Sequence, residues 1–227
     1  MAEWHGFYSG VQVARIAQIP TRTLYEWKSR GIIAPSIQVM DNALKVMDGY
    51  SYADLTIIKI LRALREDQLD LKHAAIALRH LWERLGPPDR GWADAHVYLV
   101  GNKIYAEKQD EWETTAATQF GQKVEARLFG DLFEELKRNE EEGDLLVPLD
   151  YQKAVEINPD VMGGQPVIRG TRVPTSILAM LKKQGKSVQE LARLYFPIPE
   201  QTIDKGIEYE EFLDHASSKA GTSTTGC

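Results

Sequence analysis

Six polar side chains follow a short turn near the start of the chain, and their spacing places them together on the outer side of a helix. Guanidinium, ammonium, phenol and hydroxyl groups in such a row can donate hydrogen bonds to phosphate oxygens and to base edges. Leu24 and Trp27, three residues apart, supply the packed side of the same helix. The outward candidates are Thr21, Arg22, Tyr25, Glu26, Lys28 and Ser29.

The segment that carries these side chains has the form of a helix, a tight turn and a second helix. Val11 to Ala17 is the first helix, Ile19-Pro20 the turn and Thr21 to Arg30 the second helix. In such a motif the second helix enters the major groove, so Arg22 is the best candidate to contact a phosphate or a guanine. The full predicted DNA-binding set is Thr21, Arg22, Tyr25, Lys28, Arg30 and Lys45.

Further elements must hold this pair of helices in place. The stretch from Ser36 to Tyr52 contains Asp41-Asn42 and Asp48-Gly49, pairs that tolerate hairpin turns, and we interpret it as a small β-wing. Apolar residues at helical spacing then predict amphipathic helices over 53–67 and 72–85. Gly86-Pro87-Pro88 ends the second of them.

The middle and the end of the chain show different patterns. The segments 96–99 and 103–106 predict a β-hairpin, and the Glu- and Lys-rich segment 131–142 predicts a solvated helix that leads to a hinge at 139–144. Residues 154–157 suggest a short strand. Three helices follow: one from Pro174 or Thr175 to Gly185, one opened by the capping box Ser187 to Glu190, and one over 200–214.

Composition excludes several classes of protein. Among 227 residues the single cysteine is Cys227, so there is no internal disulfide framework, thiolate metal cluster or CxxC redox pair. We find no catalytic motif and expect no enzyme activity, no cofactor and no metal. We also find no apolar run long enough for a membrane span and no signal peptide, so we expect no membrane contact and a cytoplasmic location.

Charge is divided unevenly along the chain, whose net charge is −6. Residues 1–85 carry 11 basic and 9 acidic residues, residues 86–150 carry 7 and 15, and residues 151–227 carry 9 of each. A slightly positive first segment permits contact with phosphates without strong sequence-independent affinity. We therefore expect any DNA binding to occur at a local site.

The first segment resembles the winged helix-turn-helix of the MerR family of transcription regulators over residues 9–81. The resemblance is carried by the order and spacing of Ala14, Ile19, Thr23, Leu24, Gly31, Ile32, Ile33 and Pro35, and by the string from Tyr50 to Leu55. The family has an arginine and a tyrosine where this chain has Tyr25 and Glu26, and its wing arginine is here Ser51. The long dimerising helix of the family and its effector cysteines are missing. Glu26 would repel phosphate unless it accepts a hydrogen bond from a cytosine amino group.

The string from Asn158 to Thr175 resembles the domain-of-unknown-function family numbered 433, over about 154–213. Its Gly-x-Pro-x-x-x-Gly-Thr-Arg core is Gly164 to Arg172. Chains that join a MerR-like head to this tail resemble VapB-type antitoxins, whose partner is a PIN-domain ribonuclease toxin. An antitoxin arginine could enter the toxin's carboxylate cluster, and the candidates are Arg169, Arg172 and Arg193. The alternative is that Arg172 pairs locally and the glycines only permit tight turns.

These observations predict a mainly α, α+β fold with an N-terminal winged helix-turn-helix, a small middle β-hairpin region, and a C-terminal three-helix unit with a short strand. The expected domains are 1–86, an acidic middle segment 87–150, an antitoxin-like domain 151–215 and a disordered tail 216–227.

Three functions remain open. The leading hypothesis is a repressor that binds double-stranded operator DNA as a homodimer, autoregulates its operon as an antitoxin, and neutralises a PIN-domain toxin. The second is a MerR-like regulator that responds to a small molecule held by the middle hairpin and the tail. The third is a protein-interaction adaptor without DNA affinity. The C-terminal helices could bind toxin, DNA or a second subunit, and their balanced charge does not decide among these.

Overall fold

The structure, a computed structural model, describes residues 6–40, 46–64, 71–72, 74–75, 78–79, 82, 96–100, 103–107 and 146–219. The predicted DNA contact at Lys45, the predicted helix over 131–142 and the predicted hinge at 139–144 lie outside these residues, as do positions 220–227 of the predicted tail. Within the described part of the chain, no helix is both long and apolar enough to cross a membrane.

The predicted helix-turn-helix is confirmed. Helix α1 spans Gly10–Ala17 and begins with a capping box, in which the Ser9 hydroxyl accepts from the Gln12 backbone N–H and the Gln12 side chain accepts from the Ser9 backbone N–H. Gln18 ends the helix in the left-handed conformation, with φ at 57°. Helix α2 spans Thr21–Ser29 and starts directly after Pro20, whose fixed φ suits this position.

The predicted wing is also present and is antiparallel. Strands β1 (Ile37–Met40) and β2 (Val46–Gly49) pair in the register that sets Ile37 opposite Gly49. At the base of the wing, the backbones of Tyr8 and Tyr50 exchange two hydrogen bonds of 2.9 Å each. The wing is therefore fastened to the segment that precedes α1.

Helix α3 spans Tyr52–Leu64, which is close to the predicted 53–67. Positions 71–72, 74–75, 78–79 and 82 are helical, as expected for a helix over 72–85. In the middle region, strands β3 (His96–Val100) and β4 (Lys103–Glu107) form the predicted hairpin, with Val100 opposite Lys103.

The tail begins with the short helix α4 (Leu149–Gln152) and strand β5 (Val155–Glu156). The predicted single strand is in fact paired, because β6 (Val167–Ile168) lies antiparallel to β5. A 3-10 turn at Met162–Gly164 lies between them. Helices α5 (Thr175–Lys183), α6 (Val188–Leu194) and α7 (Glu200–Lys219) then form the three-helix unit. The last helix runs past its predicted end at Asp214.

Two apolar clusters form the core of the described residues. The smaller lies inside the three-helix unit and consists of Ile168, Leu178, Leu191, Ile203 and Ile207. The larger joins the helix-turn-helix to the tail, because Ala154, Val155, Ile157, Tyr209 and Leu213 pack in the same cluster as residues of α1, α2 and α3. Burial of this shared apolar surface favours one continuous body for head and tail.

A cluster of charges around the buried Glu210 reinforces this contact. Arg15 of α1 donates to Glu210 Oε2 at 2.6 Å and to the Glu210 carbonyl at 3.1 Å, and its Nη2 lies 2.7 Å from Asp214 Oδ1. Glu210 is only 3% exposed, and its second carboxylate oxygen accepts from the Thr175 hydroxyl. Partial burial opposes ionisation of Arg15, but Glu210 and then Asp214 outweigh it and raise the pKa of Arg15.

The pKa of Asp214 also shifts so that the charged form of the group is favoured. Partial burial alone would raise it, yet the hydrogen bonds and charges of Arg15 and Lys183 lower the pKa of this carboxyl below its ordinary value. Both shifts favour the charged forms of Arg15 and Asp214, and one guanidinium is shared by two carboxylates.

Arg15→Ala should lower the free energy of unfolding by about 3 kcal/mol, because it leaves the Glu210 carboxylate buried without its cation. Urea unfolding followed by circular dichroism measures the change. Arg30→Ala is the matched control, since it removes an exposed arginine paired with Glu26 at 3.6 Å and should cost less than about 1 kcal/mol. Equal unfolding free energies for wild type and Arg15→Ala would contradict the assigned role of the cluster.

Candidate nucleic-acid interface

Helix α2 has one packed side and one free side. Leu24 and Trp27 are buried, and the Trp27 carbonyl accepts from the backbone N–H of Ile32 at 2.9 Å, which fixes the turn after the helix. Five of the six outward candidates are exposed, and Lys28 is half-buried. The periodicity of the sequence therefore assigned the two sides of α2 correctly.

Arg22 is the cation of α2 that is most available to an anionic ligand. It is exposed and makes no ion pair with any carboxylate among the described residues. It occupies the second position of the helix, where the N-terminal end of the macrodipole also favours a phosphate. Thr21 beside it is exposed as well.

The other two basic residues of this segment, Lys28 in α2 and Arg30 at its C-cap, are paired with carboxylates. Lys28 forms an ion pair with Asp48 of the wing, and Arg30 lies 3.6 Å from Glu26 one turn earlier. The Lys28–Asp48 pair connects α2 to β2. Both pairs are solvent-exposed, so each is worth little and can be exchanged for a phosphate contact.

Tyr25 extends the exposed side of α2 toward the start of α1. The residue is 57% exposed, and its hydroxyl lies 3.9 Å from the position that a Cβ on Gly10 would take. A phenol placed in this way can donate to a phosphate oxygen that approaches both helices.

Residue 51, where the resemblance places a wing arginine, has a structural role in this chain. Ser51 is buried, and its hydroxyl accepts from the backbone N–H of Asp54 at 3.2 Å while its own N–H donates to that carboxylate at 3.0 Å. Asp54 also accepts from Ser36 and, at 3.1 Å, from Arg79. Residue 51 therefore starts α3 and does not reach toward a ligand.

Asp54 is a residue that the sequence reasoning missed. It is 2% exposed and links α3, the wing and the 71–82 segment through these hydrogen bonds. The string from Ser51 to Asp54 has the spacing of a capping box, which is the signal that could have identified it. Burial, and then the negative charges of Asp48 and Asp54, raise the pKa of nearby Tyr50 to about 12.

Comparison with known families agrees with this geometry. Residues 8–81 match the MerR HTH family regulatory protein model, and residues 155–210 match a family described as a protein of unknown function, DUF433. The chain joins a MerR-type head to a DUF433 tail. A MerR-type head indicates a DNA-binding transcriptional regulator.

A solved structure shares the fold. The X-ray crystal structure of Rv2018 from Mycobacterium tuberculosis is similar over 88% of this chain and 96% of that chain, with a TM-score of 0.52 and 13% sequence identity. At that identity the likeness concerns the fold alone. No curated protein matches this chain.

The three candidate arginines of the DUF433 tail have different surroundings. Arg169 is half-buried, and its guanidinium donates to the carbonyls of Gln152 and Val155, the latter at 3.4 Å. It therefore holds the segment around β5 in place. Arg172 and Arg193 are both exposed, and neither forms an ion pair within the described residues.

The glycines of the DUF433 core do more than permit turns. Gly163 and Gly164 have φ of 66° and 86°, and the Gly163 carbonyl accepts from the backbone N–H of Phe7 at 3.1 Å. A Cβ on Gly164 would lie 2.0 Å from the Tyr8 hydroxyl. The tail motif therefore contacts Phe7 and Tyr8, which lead into the MerR-type head. The sequence alone did not predict this contact.

Asp48→Asn should increase DNA affinity by up to about 1 kcal/mol, because it releases Lys28 from a carboxylate that competes with phosphate. Fluorescence anisotropy on the DNA upstream of the gene measures the change. Asp204→Asn is the matched control, since it removes the same charge from an exposed position on α7. An equal gain in both variants would show that net charge, and not the freed Lys28, is responsible.

Proposed function

We propose that this chain is a transcriptional repressor that binds operator DNA as a homodimer and is the antitoxin of a toxin–antitoxin pair. The observation that carries the DNA part is the free side of α2, where Arg22 has no carboxylate partner among the described residues while Leu24 and Trp27 are buried. A helix with one side packed and hydrogen-bonding groups on the other is what the major groove admits.

In this proposal Thr21, Arg22 and Tyr25 make the first contacts, and Lys28 and Arg30 exchange their carboxylate partners for phosphates. Lys45, in the link between the wing strands, belongs to the same set. A two-fold symmetric dimer would require an inverted-repeat operator with half-sites spaced by whole helical turns.

The tail is proposed to neutralise a PIN-domain ribonuclease and so to couple toxin level to repression of the shared operon. Support comes from the family resemblance and from the exposed guanidiniums of Arg172 and Arg193. An exposed arginine can enter a cluster of metal-binding carboxylates as a bidentate ligand and displace the metal or the substrate. Arg169 is omitted because its guanidinium is already bound to backbone carbonyls.

Arg22→Ala should weaken binding to the DNA upstream of the gene by about 1–3 kcal/mol and should reduce discrimination against scrambled DNA. Fluorescence anisotropy at two salt concentrations gives both quantities. Arg172→Ala, an exposed arginine of the tail, is the matched control and should bind as wild type does. Wild-type protein that shows no sequence preference at low salt would overturn the repressor proposal.

Arg172→Ala should also reduce inhibition of the ribonuclease encoded beside this gene, by about tenfold or more, since a charge-assisted contact is worth about 1.5–3 kcal/mol. An RNA-cleavage assay titrated with each variant measures this, with Arg22→Ala now serving as the control that keeps full inhibition. If Arg172→Ala inhibits as well as wild type, this residue is not the toxin contact. If no inhibition occurs with wild type, the antitoxin proposal fails and the DNA proposal is unaffected.

A further inference from the structure

Three lysines form an exposed basic corner where α5 leads into α6. Lys182 and Lys183 lie in the last turn of α5, Lys186 lies in the link, and all three are exposed. From Thr175 to Arg193 the chain carries four basic residues and one acidic residue. This local excess stands out in a chain whose net charge is −6.

The charge of the basic corner is not neutralised by its surroundings. Lys182 and Lys186 make no ion pair within the described residues, and Lys183, 71% exposed, reaches only Asp214 at 3.3 Å. The nearby acid, Glu190, is bound by the backbone N–H and the hydroxyl of Ser187 at 2.8 and 3.0 Å. The hydrogen bonds from Ser187, followed by the charges of Lys186 and Arg193, lower the pKa of Glu190.

A purely local role accounts for only part of this arrangement. Lysines in the last turn of a helix stabilise it through the macrodipole, by about 0.3–1 kcal/mol, and this applies to Lys182 and Lys183. Lys186 lies beyond the end of the helix, after Gly185 has turned the chain with φ at 94°. Its exposed ammonium group lies outside the last turn, within which the effect of the macrodipole falls off.

The basic corner lies beside the helix-turn-helix. The Asp214 carboxylate binds Lys183 with one oxygen and Arg15 with the other, so one side chain separates the corner from the last turn of α1. The Arg15 carbonyl accepts from the Gln18 N–H at 3.2 Å, and the Gln18 side chain accepts from Arg62 at 2.8 Å. The turn at Gln18 leads directly into α2, where Thr21 and Arg22 begin the free side.

Helix α7 of the three-helix unit has the wrong charge for a nucleic acid. Helix α7 carries six acidic and two basic residues. Glu200, Asp204 and Glu211 are exposed on it. These exposed carboxylates would repel phosphate, so the basic corner suits a phosphate better than α7 does.

We propose that the basic corner binds the phosphate backbone of the operator next to the site contacted by α2. This rests on the proposed DNA-binding function and assigns the DUF433 tail a share of the same DNA interface. The contacts fix the position of the protein and raise its affinity but carry no sequence information. They also make the footprint longer than the helix-turn-helix alone would give.

The test uses the full chain with Lys182→Gln and Lys186→Gln combined, which keeps most of each side chain and leaves Lys183 paired with Asp214. The logarithm of the binding constant falls linearly with the logarithm of salt concentration, with a slope of about −0.9 per phosphate contact. We expect the double variant to have a slope shallower by about one to two per chain and an unchanged ratio of operator to scrambled-DNA affinity. The matched control is Lys153→Gln with Lys205→Gln, two solvent-accessible cations elsewhere in the tail that belong to neither proposed interface.

Each outcome gives a separate answer. An unchanged slope in the double variant, with Arg22→Ala still weakening binding, overturns the phosphate contact and leaves the DNA-binding function in place. A slope that changes equally in the control pair also overturns it, because general charge would then be responsible. Loss of toxin inhibition with an unchanged slope would identify the basic corner as a protein contact instead. Wild-type protein that binds no DNA overturns both this inference and the proposed function.

Discussion

The guanidinium of Arg15 is the interaction on which the arrangement of the two parts depends. It satisfies Glu210, a carboxylate that is almost fully removed from water, and Thr175 satisfies the other oxygen of the same group. A buried carboxylate needs such partners, because leaving it without a cation costs several kcal/mol. Thr175 begins α5, Glu210 lies on α7, and Arg15 lies on the first helix of the helix-turn-helix. One hydrogen-bonded group therefore links α5 and α7 to α1, and residues of α1 and α2 pack in the same apolar cluster.

A second connection reaches the wing by a different route. Gly164 leaves room for the Tyr8 hydroxyl, and the Tyr8 backbone pairs with Tyr50 at the base of β2. A side chain at Gly164 would collide with Tyr8, and its φ of 86° also disfavours other residue types. Both elements of the proposed DNA interface, α2 and the wing, are thus held by contacts that lead to the tail. Their relative position is fixed by tertiary packing, since neither the wing nor a helix of nine residues is stable alone.

The features that the sequence predicted depend on residues close together in the chain, whereas those that it missed depend on contacts between residues further apart. The two sides of α2, the wing, the middle hairpin and the capping box at Ser187 follow from periodicity and turn chemistry within a few residues. The ion pair between Arg15 and Glu210 joins positions 195 residues apart, and no sequence pattern around either residue predicts it. Arg169 was a candidate for a partner protein, yet its guanidinium is bound to carbonyls that only the folded chain brings near. The second strand of the tail was missed because two residues are too few for any alternation to register.

The net charge of −6 is a poor guide to the affinity of this chain for DNA, because the positions of the charges matter more than their sum. Much of the acidity near the head is already engaged: Glu210 and Asp214 bind Arg15, Asp54 binds Arg79, and Asp48 binds Lys28. Exposed pairs such as Lys28 with Asp48 are worth at most about 1 kcal/mol, so phosphates can replace the carboxylate at small cost. In the proposed DNA complex, such a site would attract random DNA weakly, since few of its cations are free before binding. Discrimination would then come from the fit of α2 to base edges, which is the role proposed for Arg22.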